Sequence, residues 1–357
     1  MNEHTAATSD AEKVIQDNYA KKVSNEQLQN GSLRGMVRSL RDRFSSYFTP
    51  DQRKLFEQSI GGQFSGVGMT VVKHRRGLMV TSVFKGSPAA KAKIRPGDLI
   101  TRVDGRSIAG ESSDVATARI KGKPGTFVTL TVVPRGGKPA RKVRIKRATI
   151  KVPVVRGRLR TFGGRKMGVV QIASFSSGVH GDFGLAVRRL LRRGAEGFVI
   201  DLRGNGGGLL EEAVLVSSVF VPNGVIVSTK GRKRAPRVLR ATGDAVPRKP
   251  LVVLVNRNTA SASEIVTAAL QERLGAMVVG VRTFGKGVFG ELFELPNGGA
   301  IDLTLGNYYT PKGHNLGGKG ITPDVKARDD VKTKPDEALD RAIAVLAAEI
   351  PPANPSD

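Results

Sequence analysis

Hydrophobic positions follow two different rhythms along this chain, and the change between them divides it. Near the N-terminus apolar residues recur at helical spacing. Leu28, Leu33, Met36, Val37 and Leu40 fall on one side of a helix that Ser24-Asn-Glu-Gln27 would cap. A short helix over 10–19 precedes it, and Thr49-Pro-Asp opens a third, because proline suits a first helical turn. From Gly61 to about Arg147 the rhythm shortens to that of strands: Ser65–Val72, Gly77–Val83 and Phe127–Val133. Asp104-Gly105 marks a hairpin there, and Ser113–Ile120 reads as a helix.

Further on, solid apolar runs replace alternation. Gly197-Phe-Val-Ile-Asp-Leu202, Leu251-Val-Val-Leu-Val255 and Ala276-Met-Val-Val-Gly280 are short and apolar, as strands buried on both faces are. Helices are predicted near Phe183–Leu191, over Leu209–Val219, after Ser261 and over Asp336–Ile350, and a hairpin over 291–305. Strand and helix in turn predict an α/β core on parallel strands. Residues 148–167 read as a crossing between domains and Val225–Pro250 as a surface excursion. The expected divisions are a helical segment at 1–60, a strand-rich domain at 61–147, the core at 148–330, and a final helix and tail at 331–357.

Composition narrows the function. With 357 residues, 39% of them hydrophobic, the chain has room for two or three globular domains. The absence of Cys excludes disulfides and thiolate chemistry. No apolar run reaches the length of a membrane span, and Met1-Asn-Glu-His-Thr-Ala lacks the layout of a secretory signal. A net charge of +27 suits nucleic acid or an anionic surface. Yet tryptophan is absent, aromatics are 5%, and no nucleic-acid-binding signature accompanies the basic runs, so specific nucleic-acid binding is not expected. The loop Arg203-Gly-Asn-Gly-Gly-Gly208 lies between a strand and a helix, the layout of a backbone anion site. Leu209 stands where a dinucleotide fingerprint needs its third glycine, and the Gly-Lys-Ser/Thr of a P-loop is missing.

Candidate chemistry centres on Ser261, where a buried strand hands over to a helix. A serine hydroxyl needs a base, and none of the four histidines (His4, His74, His180, His314) is near an obvious serine elbow. A buried lysine can act instead when desolvation leaves it neutral, and Lys286 follows between two glycines. Ser261 and Glu264 also form the S-x-x-E pattern of a capping box, which would give Ser261 a structural task.

The string Ser261-Ala-Ser-Glu264-Ile, followed by Thr283-Phe-Gly-Lys286-Gly, resembles the carboxyl-terminal processing peptidases, or tail-specific proteases. The resemblance extends from about Val14 to Ile350 and includes Ser45-Ser-Tyr-Phe-Thr-Pro50 and Tyr308-Tyr-Thr-Pro. It implies a serine endopeptidase, with Ser261 as nucleophile and Lys286 as general base, Ser263 being the less favoured hydroxyl. The backbone N–H of Gly207 or Gly208, with that of Ala262, would form the oxyanion hole. It further implies a crotonase-like (ClpP/crotonase type) βαβ catalytic core. No metal or cofactor is implied. One position departs from the family: Gly290 stands where a glutamine usually orients the lysine, leaving water, backbone or Glu291 to do so.

Gly86-Ser-Pro-Ala-Ala and Pro96-Gly-Asp look like a PDZ domain inserted into that core. Gly66, Val67 and Gly68 would be its carboxylate-binding loop, with Val115 and Ala118 on the facing helix. Expected partners are proteins with exposed apolar C-terminal tails, an activating adaptor, a second copy of the chain and anionic envelope surfaces. The family's usual place is periplasmic, extracellular or at the cell envelope, so an export signal or anchor is expected to precede this sequence. The alternatives are a catalytically impaired PDZ-containing binding protein and a polyanion-binding protein.

Overall fold

A computed structural model describes residues 3–136, 138–329, 333 and 335–351. The chain divides into two compact units, Met1–Glu57 with Val154–Asp357, and Gln58–Pro153. It opens with helices α1 (Glu3–Asn18) and α2 (Asn25–Ser39). Ser24 caps α2 by accepting the Gln27 N–H at 3.1 Å, as the S-x-x-Q pattern predicts. The apolar stripe of α2 is not a core face: Val37 is buried, but Met36 and Leu40 are more than half exposed. A short strand β1 (Ser46–Phe48) and helix α3 (Pro50–Ile60) follow.

The second unit holds β2 (Gln63–Gly66), β3 (Met69–His74), β4 (Gly77–Val83), α4 (Pro88–Lys91), β5 (Leu99–Val103) and β6 (Arg106–Ser107). It continues with α5 (Ser113–Ile120), β7 (Phe127–Val133), β8 (Arg141–Lys146) and β9 (Ala148–Lys151). An antiparallel sheet runs β3-β4-β5-β7-β8, so β3 is an edge strand, while β2 pairs with β9. Leu78, Val80, Ile100, Val128, Leu130 and Val132 fill the core from alternate sheet positions. The strand expected over 65–72 is broken at Val67-Gly68. Gly68 has φ +82°, and a Cβ there would meet Ser87 Cβ at 2.3 Å, so the chain can turn here only without a side chain.

The first unit resumes with β10 (Val155–Phe162), β11 (Arg165–Ile172), α6 (Val179–Arg192), β12 (Gly197–Asp201) and α7 (Leu210–Ser218). Then come β13 (Val225–Gly231), β14 (Arg237–Arg240), β15 (Leu251–Val255), α8 (Ala262–Leu274) and β16 (Met277–Gly280). The last elements are β17 (Val288–Glu294), β18 (Ala300–Tyr309), β19 (Val325–Lys326) and α9 (Glu337–Glu349). A sheet ordered β10-β11-β12-β15-β16-β19 is parallel from β11 onward. Its two faces explain the solid apolar runs. Leu251, Val253 and Val255 pack with Phe183, Phe198 and the helices α6, α7 and α8. Val252 and Leu254 face the other way, onto Leu339, Ile343 and Leu346 of α9.

Two expectations are corrected here. Residues 148–167 do not form a plain crossing: β9 belongs to the second unit, and β10 and β11 form a hairpin. The basic residues Arg156, Arg158 and Arg160 alternate along β10 with half-buried positions, so charge masked a strand. Nor is Val225–Pro250 only a surface excursion. Ile226 and Val227 of β13 are fully buried, and β13 pairs with β18 in a second, antiparallel sheet, order β1-β18-β13-β14, with β17 also on β18.

Candidate active site

Ser261 sits between β15 and α8 with φ +56° and ψ −120°. A non-glycine residue in that region carries strain of about 1–3 kcal/mol, which the surrounding structure must supply. Asn205 supplies much of it. This fully buried side chain donates to the Ile172 carbonyl at 2.9 Å and accepts the Gly207 N–H at 2.9 Å. The Asn205 carbonyl accepts the Ala260 N–H at 3.1 Å and the Ser263 hydroxyl at 2.9 Å. Ser263 is therefore buried and its hydroxyl committed. Thr259 Oγ1 donates to the Leu202 carbonyl at 2.9 Å, fastening the end of β12 to the turn before Ser261.

The expected capping box of Ser261 and Glu264 is present. The Ser261 N–H donates to Glu264 Oε2 at 3.0 Å, and the Glu264 N–H donates to the Ser261 carbonyl at 2.8 Å. The Ser261 hydroxyl donates no hydrogen bond among the described residues, so its proton is not committed.

Glu264 does more than its place in a capping pattern suggests. It is fully buried, and its Oε1 accepts the Thr283 hydroxyl at 2.5 Å and the Gly285 N–H at 2.8 Å. Its Oε2 accepts the Lys286 N–H at 2.9 Å as well as the Ser261 N–H. One carboxylate oxygen therefore holds both backbones, and the two amide nitrogens lie within about 6 Å of each other. Tyr308 is also buried against this carboxylate. Burial, with the Glu264 charge adding to it, pushes the Tyr308 phenol well above its ordinary range.

The side chain of Lys286 is not on the serine. Its amine lies 5.4 Å from the centre of the Phe44 ring and forms no hydrogen bond or ion pair among the described residues. Two carboxyls share its surroundings. Burial alone would raise Asp42, but bonds from Ser45, Thr304 and the Phe44 N–H, with the Lys286 charge, hold it below its ordinary value. Burial raises Asp302, with the Lys286 charge opposing and Asp42 adding to the rise. Sequence reasoning missed both acids, which reach the lysine from the segment before β1 and from β18.

Of the two glycines expected at the oxyanion hole, Gly207 has given its N–H to Asn205, whereas the N–H groups of Gly208 and Ala262 have no hydrogen-bond partner among the described residues. Gly207 packs so tightly on the serine that an added Cβ would meet Ser261 Cβ at 2.8 Å. Gly290 lies in β17 beside a bulge opposite β18, and Glu291 is ion-paired with Arg234. No group of His, Asp or Glu placed to hold a metal occurs among the described residues.

In the second unit Gly66, Val67 and Gly68 are buried, and the Val67 carbonyl accepts the Ala89 N–H at 2.8 Å. Val115 and Ala118 are exposed on α5, which packs against β3 and its neighbours. An edge strand beside a helix is thus present, with the glycine loop packed beneath α4.

Comparison with known proteins adds to this geometry. Residues 166–327 match the model for peptidase family S41, residues 65–146 that for the PDZ domain, and residues 2–52 that for the activating protease CtpB N-terminal domain. The chain belongs to peptidase family S41. Over 316 residues it is 38% identical to a probable CtpA-like serine protease of Staphylococcus aureus, covering 88% of this chain and 62% of that one. Over 314 residues it is 37% identical to the carboxy-terminal processing protease CtpA of Bacillus subtilis, covering 88% and 66%. The chain therefore spans less than two thirds of the length of the first of these relatives. Among solved structures it resembles the photosystem II D1 C-terminal processing protease, at 28% identity and TM-score 0.54, covering 96% and 92% of the two chains. A putative S41 protease from Bacteroides fragilis shares the fold, at 19% identity and TM-score 0.56, covering 94% and 96%. In this S41 chain no helix among the described residues is long and apolar enough to cross a membrane.

Proposed function

We propose that this chain is a serine endopeptidase that cleaves proteins near their C-termini through the pair Ser261 and Lys286. The observation that carries it is the shared Glu264 oxygen, which brings the backbones of two residues 25 positions apart together beside a hydroxyl that donates no hydrogen bond among the described residues. In the reaction Lys286, as the neutral amine, takes the Ser261 proton while Oγ attacks a peptide carbonyl. The N–H groups of Gly208 and Ala262 hold the oxyanion, a pair of donors typically contributing several kcal/mol, and Lys286 returns the proton to the leaving amine. The Lys286 amine must form a hydrogen bond to Ser261 that is not among those of the described residues. The parallel sheet and its helices are read as a crotonase-like core. The second unit is read as a PDZ domain that takes an apolar tail by strand addition along β3, with Gly66, Val67 and Gly68 at the carboxylate and Val115 and Ala118 along the groove. An activating partner, self-association and an envelope location follow from the same reading.

The test is hydrolysis of a fluorogenic unstructured peptide ending in Leu-Ala-Ala. Turnover is expected in the parent and lost in both Ser261→Ala and Lys286→Ala, with melting unchanged; turnover persisting in either variant overturns the pair. A second reading, a tail-binding protein with a silent site, is favoured by the missing Lys286–Ser261 hydrogen bond. It predicts peptide binding without turnover.

A further inference from the structure

We propose that Asp302 of β18 is the positioning residue for the Lys286 amine, acting from the strand opposite Gly290. The inference rests on the Ser261–Lys286 reading above. A Cβ on Gly290 would lie 2.9 Å from the Leu303 carbonyl oxygen and 3.0 Å from Asp302 Oδ1. The Asp302 carboxylate thus occupies the space in which a side chain at position 290 would begin. Glu291, the neighbouring candidate, is bound to Arg234 and unavailable.

Asp302 itself has room for a donor. It is half-buried, yet its carboxylate accepts no hydrogen bond and forms no ion pair among the described residues. Lys286 is equally unbonded: its amine lies 5.4 Å from the centre of the Phe44 ring, and the Phe44 segment is tied to β18 where Ser45 Oγ accepts the Thr304 N–H at 3.0 Å, two residues from Asp302. A half-buried carboxylate without donors is costly, and a nearby amine with three N–H groups and no acceptor is its natural complement. The other acid here is committed. Asp42 accepts the Ser45 hydroxyl at 2.6 Å and the Phe44 N–H at 3.0 Å.

The charged and titratable groups around Lys286 come from three directions. Asp302 faces it from β18, Asp42 and Arg43 lie in the segment before β1, and Glu264 of α8 holds its backbone, with Tyr308 buried behind. Among them Asp302 is the acceptor left open. Its oxygen accepts an amine N–H and fixes where Nζ stands, which favours proton transfer.

The acceptor role is tested by substitution, with the full chain and the peptide ending in Leu-Ala-Ala. Asp302→Ala removes the acceptor, and kcat is expected to fall about tenfold with KM within about twofold. Asp302→Asn keeps an acceptor and loses the charge. Its kcat should stay within about threefold of the parent, because a side-chain oxygen still accepts the amine N–H. Parent kcat in Asp302→Ala, or an equal loss in Asp302→Ala and Asp302→Asn, would overturn the proposal. A second measurement does not need turnover. In the Ser261→Ala chain, the rate of Lys286 acylation by acetic anhydride at one fixed pH, read by mass spectrometry, should rise at least about threefold when Asp302→Leu is added, because the amine then loses its acceptor. An unchanged rate overturns the role of Asp302, also where Asp302→Ala fails to fold. Turnover surviving Ser261→Ala or Lys286→Ala would sink the protease reading, while the labelling result still decides Asp302.

Discussion

Ser261 ends a strand buried on both faces and is held through Asn205, Thr259 and Glu264, whereas Lys286 stands where the chain leaves that sheet for a second one. The serine side is set by hydrogen bonds between elements of one parallel sheet. On the lysine side, only the backbone has that security, through Glu264; the amine meets a ring and two carboxyls from separate parts of the chain. On the proposed reading, the nucleophile and its donors are pre-organised, and the base is the part whose side chain no hydrogen bond holds among the described residues. Differential placement of this kind costs little to undo at the lysine and a great deal at the serine.

The sharpest way to break the contrast is Gly207→Ala. With φ +107° and an added Cβ 2.9 Å from the Ala260 carbonyl, it cannot be absorbed without moving Ser261. Peptide hydrolysis should fall at least about a hundredfold, since a 1 Å misplacement can cost that much. Next comes Glu264→Gln, which sets an NH2 group against donors that now meet a carboxylate. A loss of about 2–4 kcal/mol is expected in urea unfolding, because two buried donors lose their acceptor. Unchanged stability would mean that the two halves are joined by something other than Glu264.

Asp336→Asn tests the anchoring of the serine side at its far end. Arg203, which precedes the glycine loop, bonds Asp201, Asp329 and Asp336. The Arg203 bond, working against burial and aided by the Leu339 N–H, holds the Asp336 carboxyl down to about 2. A depressed carboxyl contributes stability that is full above about pH 4, its unfolded range, and is lost as pH falls towards 2. Asparagine still caps α9, so the variant should flatten the fall in urea midpoint across that window. Phe44→Ala has the smallest effect. Losing a ring 5.4 Å from Nζ removes about 0.5–1 kcal/mol from the unengaged position, so kcat should rise about two- to fivefold. A lower kcat would place Phe44 in the engaged state as well.

The two halves also differ in how much their residues disclose before folding. Leu251–Val255 and Gly197–Asp201 could be read as doubly buried strands because every position is apolar or paired at the strand end, and the helix after Ser261 follows from the same pattern. Local spacing also gave the Ser24 cap and the Asp104-Gly105 turn, both positive-φ residues in the structure in the latter case. Glu264 was visible only as a helix-end residue, since Thr283, Gly285 and Lys286 reach it from a later part of the chain. Asp42 and Asp302 could not be paired with Lys286 at all. Their meeting depends on β1 lying against β18, a register that hydrophobic period does not encode for a three-residue strand.

That pairing of Ser46–Phe48 with Ala300–Asp302 sets a schedule. During synthesis the segment carrying Asp42 and Phe44 emerges first and waits for β18, which is among the last strands to leave the ribosome. Until then the amine of Lys286 has no complete surroundings, so on the proposed reading a half-made polypeptide lacks an assembled cutting edge.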